Sequence, residues 1–303
     1  MQQNAPSAQQ NGLPMAFATY LIWGLLPLYL RLVHHVPPVE FVGWRVVFTL
    51  PVCLLLLATM GRWRALKAAL AWPVLRLLML SALLIGANWM IYVIAVQTGH
   101  VLAASIGYYI NPLANVLAGT LFLGERLSRR QWLAVTLAAT GVSFLAWGAL
   151  DTLWISLSLA FTFCSYGLVR KLAPVESLAG LSAETIMLLP IAVGIIWWYV
   201  ASPAGISIGP DMTSNLLIAF AGVVTAVPLL LFAYAARRMD YSTLGMVQFV
   251  APTLVFLEGL FLFEEPLNTG QLACFMLIWV AIAVFMWDLW LQRRKRLTSE
   301  APA

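Results

Sequence analysis

Charge is scarce in this chain. Only 10% of its 303 residues are Asp, Glu, Lys or Arg, where a soluble domain averages roughly 25%. Hydrophobic residues make up 62% and the mean hydropathy is +0.89, so a soluble globular domain is excluded. The pI of 9.3 does not indicate a nucleic-acid partner, because the basic residues sit in short clusters between apolar runs and no stretch resembles a nucleic-acid reader. Cysteine is equally sparse. Cys53, Cys164 and Cys274 are odd in number, each lies inside an apolar run, and none belongs to a C-x-x-C pair. They read as small buried hydrophobes, not a disulfide or metal framework. Histidine offers only the adjacent His34 and His35 and the solitary His100. No phosphate-cradling G-x-x-x-x-G-K-[ST] loop, H-E-x-x-H pair or dinucleotide fingerprint occurs, so no cofactor, metal or catalytic residue is expected. The first dozen residues lack the positive charge of a cleaved signal and read as a disordered tail.

What the chain does have is an internal echo. Pro112, Leu117, Gly119, Glu125, Leu127, Gln131, Leu137 and Trp147 recur, displaced by 140 positions, as Pro252, Leu257, Gly259, Glu265, Leu267, Gln271, Leu277 and Trp287. Duplicated apolar blocks with a solute site between them are how many secondary transporters are built. Arg126, Arg129 and Arg130 of the first copy become Pro266, Thr269 and Gly270 in the second. Positive charge is disfavoured in outward loops, so the loss indicates that the second copy lies upside down in the membrane.

A bilayer crossing needs ~20 mostly apolar residues. That length predicts ten helices, over 13–33, 38–60, 74–97, 101–123, 129–148, 152–171, 178–200, 215–236, 243–263 and 270–291. The expected fold is an all-α polytopic membrane protein of two inverted five-helix repeats, 13–148 and 149–291. They are flanked by a disordered cytoplasmic tail, 1–12, and a basic cytoplasmic tail, 292–303. All basic residues except Arg31 and Arg45 fall on one side, which places both termini in the cytoplasm.

Arg45 lies well inside the second span and Glu184 at the equivalent place in the seventh, each six residues before a proline, Pro51 and Pro190. Glu258 lies in the ninth. A charge at mid-helix costs ~2.5–3.5 kcal/mol on insertion scales, so such residues face a cavity or a partner. At 1.5 Å per residue, Arg45 and Glu184 differ in depth by ~10–15 Å, and Glu258 is the better ion-pair candidate for Arg45. Polar stripes add Asn88, Tyr108, Asn111 and Gln248 as substrate-binding or gating candidates, and Trp23–Gly24 is matched by Tyr166–Gly167. Small residues at these stripes also serve close helix packing.

Ile106-Gly107-Tyr108-Tyr109-Ile110-Asn111-Pro112-Leu113, Phe122-Leu123-Gly124-Glu125-Arg126 and Gln131-Trp132-Leu133-Ala134-Val135 strongly resemble the RarD branch of EamA-type transporters, in the drug/metabolite transporter superfamily. Trp44-Arg45-Val46, Ile85-Gly86-Ala87-Asn88-Trp89, Tyr166-Gly167-Leu168-Val169-Arg170-Lys171 and Glu184-Thr185 extend the resemblance across 15–291. It implies a ten-helix bacterial inner-membrane permease moving a small metabolite or drug-like solute, and the RarD name is attached to chloramphenicol sensitivity. Arg45, Asn88, Asn111 and Glu184 fall where the branch is expected to keep polar membrane residues, and Glu258 does not. Proton coupling through Glu184 is one expectation. A non-transporting scaffold or sensor is the alternative to transport, and the expected partners are a solute and lipid, with a homodimer left open.

Overall fold

A computed structural model describes residues 6–147, 150–203, 205–209, 211–262 and 269–299, with backbone alone at 6–11, 269, 293 and 295–299. Every regular element among them is helical. The order is α1 (Pro6–Gly24), α2 (Leu26–Leu32), α3 (Pro38–Thr59), α4 (Trp63–Ala69), α5 (Trp72–Gln97), α6 (Val101–Phe122), α7 (Arg129–Trp147), α8 (Leu153–Leu172), α9 (Ser177–Ala201), α10 (Met212–Arg238), α11 (Tyr241–Gln248), α12 (Val250–Phe261) and α13 (Thr269–Ser299), with a 3₁₀ turn at Leu150–Thr152. Among the described residues, nine segments are long and apolar enough to cross a membrane. The chain is a polytopic helical membrane protein. The span expected at 129–148 is α7, a helix that begins with Arg129 and Arg130 and is not one of the nine. The short α4 was not anticipated. Glu264 and Glu265 lie outside the described residues, and so does most of the loop that the second copy was expected to place outward.

Two expected spans are each broken in two, and proline gives the reason. Pro27 has no N–H for the Trp23 carbonyl, and the helix breaks at Leu25 between α1 and α2. Pro252 likewise leaves the Gln248 carbonyl free, and the chain kinks at Phe249 between α11 and α12. Pro112 frees the matching carbonyl of Tyr108 inside α6, which stays continuous.

The helix pairings carry the symmetry of the repeat. α3 packs on α9, α6 on α11 and α7 on α13, which are the pairs that the 140-residue displacement maps onto themselves. The other large contacts exchange. α1 against α10 answers α8 against α5, and α3 against α10 answers α9 against α5, while α8 on α6 is matched by α1 on α11 and α12. Glycine lets the backbones close. A Cβ on Gly222 of α10 would strike the Phe48 carbonyl of α3, and one on Gly245 of α11 would sit 2.6 Å from the Pro112 carbonyl of α6.

Candidate functional site

Two polar centres, one buried and one half-buried, meet along one narrow seam between α3, α5, α8, α9 and α10. The first is built around Glu184 of α9, which is 1% exposed. Its Oε1 accepts hydrogen bonds from Ser81 of α5 and from Arg170 of α8, whose Nη1 stands 3.3 Å away. Arg170 is itself 1% exposed and donates through Nη2 to the Ser177 carbonyl at 3.0 Å. Gly180, one turn before Glu184, gives the guanidinium its room, since a Cβ there would land on it. The sequence places Arg170 among the loop charges beside Lys171, and the structure corrects this. α8 runs on to Leu172, and Arg170 points into the bundle on the helix face of Tyr166, one turn earlier. Lys171 turns the other way and donates to the Ala236 and Met239 carbonyls at the end of α10.

The second centre is Arg45 of α3. Its Nε donates to Thr225 Oγ1 of α10 at 3.0 Å, and its guanidinium carbon lies 4.7 Å from the centre of the Trp89 ring of α5. Tyr29, Tyr92 and Tyr108 stand within electrostatic range. The expected Arg45–Glu258 ion pair is not formed. Glu258 is buried on α12, and neither of its carboxylate oxygens has a partner among the described residues. Depth along a helix could be read from spacing, but direction around it could not. Glu258 shares the face of Ala251 and Leu254, which lean on Gly24 of α1, whereas Arg45 faces α5 and α10.

Between the two centres lies a cavity of about 10 Å³, room for one water. Thr225 and Trp89, the partners of Arg45, line one part of it, and Glu184 and Tyr166 line another, with Thr49 and Thr185. Aromatic rings wall the seam. Trp23 packs within 5.7 Å of Tyr20, Phe163 and Phe232, and Tyr166 stacks on Phe232. Trp23 and Tyr166 thus share one aromatic block. A larger cavity of about 150 Å³, lined by Ser105, Tyr109, Phe256, Gln271 and Phe275, holds none of the expected site residues.

The remaining candidates separate. Asn88 spends its amide nitrogen on the Leu159 carbonyl and Thr162 Oγ1 of α8, both at 2.9 Å, so it ties α5 to α8. Gln248 accepts from Asn115 at 2.7 Å and from the Tyr20 hydroxyl at 3.5 Å, joining α11, α6 and α1. Asn111 is buried, and its carbonyl oxygen has no partner among the described residues. Tyr108 is 44% exposed, yet it lies on the α6 face of Pro112, Asn115 and Gly119, all buried. Along this face Tyr108 is accessible and the positions from one turn further on are closed off. At the closed end Glu125 accepts from the backbone N–H groups of Tyr241 and Ser242 at 2.6 and 2.8 Å, and from the Ser242 hydroxyl, pinning the start of α11.

Comparisons with known proteins agree with this architecture. The model of the EamA-like transporter family matches residues 10–147. The protein RarD of Salmonella typhi is 43% identical over 289 residues, covering 94% of this chain and 98% of that one. An uncharacterized transporter of Pseudomonas aeruginosa is 44% identical, covering 94% and 96%. A protein of the same organism named chloramphenicol-sensitive protein RarD is 29% identical, covering 92% and 94%. A solved crystal structure aligns over 91% of this chain and 97% of its own at a TM-score of 0.71 and 19% identity, which speaks for the fold alone. Relatives at this level of identity over nearly the whole chain and the family match over residues 10–147 lead to one conclusion: the chain belongs to the EamA-like transporter family, in its RarD branch.

Proposed function

We propose that the chain is a secondary transporter, not an enzyme, that moves a small metabolite or drug-like solute across the bacterial inner membrane by alternating access. In this reading 13–148 and 149–291 are inverted halves that rock against each other, and both termini are cytoplasmic. One observation carries the reading. Tyr108 and Gln248 occupy matching positions of the two copies, yet one is 44% exposed and the other 5%. In an inverted repeat, matched positions sit toward opposite membrane faces, so this asymmetry marks a bundle open to one side and shut to the other. The positive-inside distribution of charge supports the exterior as the open side.

Arg45 stands at the open end and meets solute first. Glu184, sealed below with one carboxylate oxygen unpaired, carries the proton that couples the cycle. Trp23, Tyr166, Asn88 and Asn111 shape the passage and support it more than they hold the solute. Purified protein in liposomes with an imposed pH gradient tests the proposal against chloramphenicol, aromatic amino acids, purines and small organic anions. The expected result is gradient-dependent flux of at least one class, lost in Arg45→Ala and uncoupled from the gradient in Glu184→Gln. Absence of flux across the whole panel favours the scaffold or sensor alternative. Unchanged flux in both variants removes the residue assignment while leaving transport in place.

A further inference from the structure

Arg45 holds a half-buried cation that the protein does not neutralise. The ion pairs Arg62–Glu176, Arg130–Asp288 and Arg170–Glu184 lie elsewhere, and no described acid pairs with Arg45. The nearby acid on its own helix is already committed. Glu40 accepts from the Trp44 indole at 2.8 Å and from the Ser207 backbone and hydroxyl at 2.7 Å. Of the guanidinium donors only Nε–H is used, on Thr225, which fixes the side chain and leaves the end-on Nη fork without a protein partner among the described residues. Arg45 lies seven residues into α3, about 10 Å from the helix start, where an uncompensated charge is costly.

Aromatic surface surrounds that fork. Trp89 lies against the guanidinium, and Tyr108, 44% exposed, packs edge-on to Tyr92. The cavity beyond, with room for one water, stops anything larger from passing deeper in this state. We infer that the side chains around Arg45 form a binding site for a flat aromatic monocarboxylate, its carboxylate held end-on by the Nη fork of Arg45 and its ring packed among Trp89, Tyr92 and Tyr108. A planar fork matches a carboxylate bidentately, and a single cation suits a monoanion better than a phosphate dianion. The inference rests on the transport reading above and names the solute class for the same passage.

The test is equilibrium dialysis of radiolabelled benzoate and indole-3-acetate against the detergent-purified full-length protein. Benzamide, benzylamine and inorganic phosphate serve as competitors, the first two sharing the ring of benzoate without its negative charge. The expected result is saturable binding of at least one acid, one per chain, that none of the three competitors displaces at equal concentration. Arg45→Gln is expected to abolish binding, and Arg45→Lys, which keeps the charge and loses the fork, to weaken it about tenfold. Should Arg45→Gln fail to fold, Arg45→Lys and Thr225→Val, which frees the guanidinium from its anchor, carry the test. No saturable binding of either acid overturns the inference, as does undiminished binding in Arg45→Lys or equal competition by benzamide. Binding without flux in liposomes would overturn the transport reading and leave the carboxylate site standing. Flux of neutral or cationic solutes without acid binding would do the reverse.

Discussion

At the scale of single residues, the Arg170–Glu184 pair matters more than its one hydrogen bond suggests. Both side chains are out of solvent, at 0% and 2% exposure, so removing either strands the other as a bare charge. Breaking a buried pair from one side costs about 3–5 kcal/mol, whereas replacing both members with apolar groups can be close to neutral. Arg170→Met and Glu184→Leu should therefore each lower the thermal midpoint strongly. The double variant should recover most of the loss, a coupling that a double-mutant cycle reads directly. Additive losses would mean that the two charges do not depend on each other. A related expectation concerns Gly180. Its Cβ would occupy the space of the guanidinium, so Gly180→Ala should destabilise the parent and be tolerated once Arg170 is Met. Residue-scale legibility was uneven for physical reasons. Glu184 announced itself because a carboxylate deep in an apolar run is costly. Arg170 did not, because two bases at a span end are the ordinary mark of a cytoplasmic loop, and only the four-residue spacing from Tyr166 hinted that it turns inward. Ion pairing of Arg45 with Glu258 failed because sequence spacing gives height along a helix and says little about which way two helices face each other.

At the scale of elements, the crossing of α3 and α10 is set by absence of a side chain. Gly222 meets the Phe48 carbonyl, and Thr49 bridges the same crossing by donating to the Gly222 carbonyl at 3.4 Å. Gly222→Ala forces the backbones apart, an overpacking that typically costs 1–3 kcal/mol. It should also shift Thr225, three residues on, and so loosen Arg45. Gly194 of α9 is the control, since a Cβ there meets nothing within 4 Å. Gly194→Ala should be neutral or stabilise by about 0.5–1 kcal/mol through helix propensity. Thermal unfolding of the two variants side by side separates a packing glycine from an incidental one; equal behaviour would remove the special status of the crossing. The spans were legible here because hydrophobic runs of bilayer length leave few alternatives. The helix breaks at Leu25 and Phe249 follow from Pro27 and Pro252. The short α4 was not legible, because seven residues between two apolar runs give no periodicity to read.

At the scale of the whole molecule, the proposed cycle requires the contacts that hold the two halves together at one end to be undone for the passage to open there. Glu125 belongs to the first half and anchors the start of α11 in the second, with two backbone N–H groups and one hydroxyl donating to it. It also sits at a helix N-terminus, where a negative charge is favoured. Its repeat counterpart, Glu265, lies outside the described residues. If Glu125 latches that end, weakening it shifts the population and leaves the fold intact. Hydrogen bonds to a charged group contribute about 1.5–3 kcal/mol each, and a loss near 1.4 kcal/mol already changes an equilibrium tenfold. The sensor for that shift is Tyr108, which is 44% exposed here. In a background freed of Cys53, Cys164 and Cys274, all buried, Tyr108→Cys should react readily with an impermeant thiol reagent added from the periplasmic side. Adding Glu125→Gln should slow that reaction several-fold, because molecules open to the cytoplasm hide position 108. A rate unchanged by Glu125→Gln would mean that the contact is only a helix cap. A rate that is fast only from the cytoplasmic side would invert the assigned orientation, and with it the direction from which solute first meets Arg45.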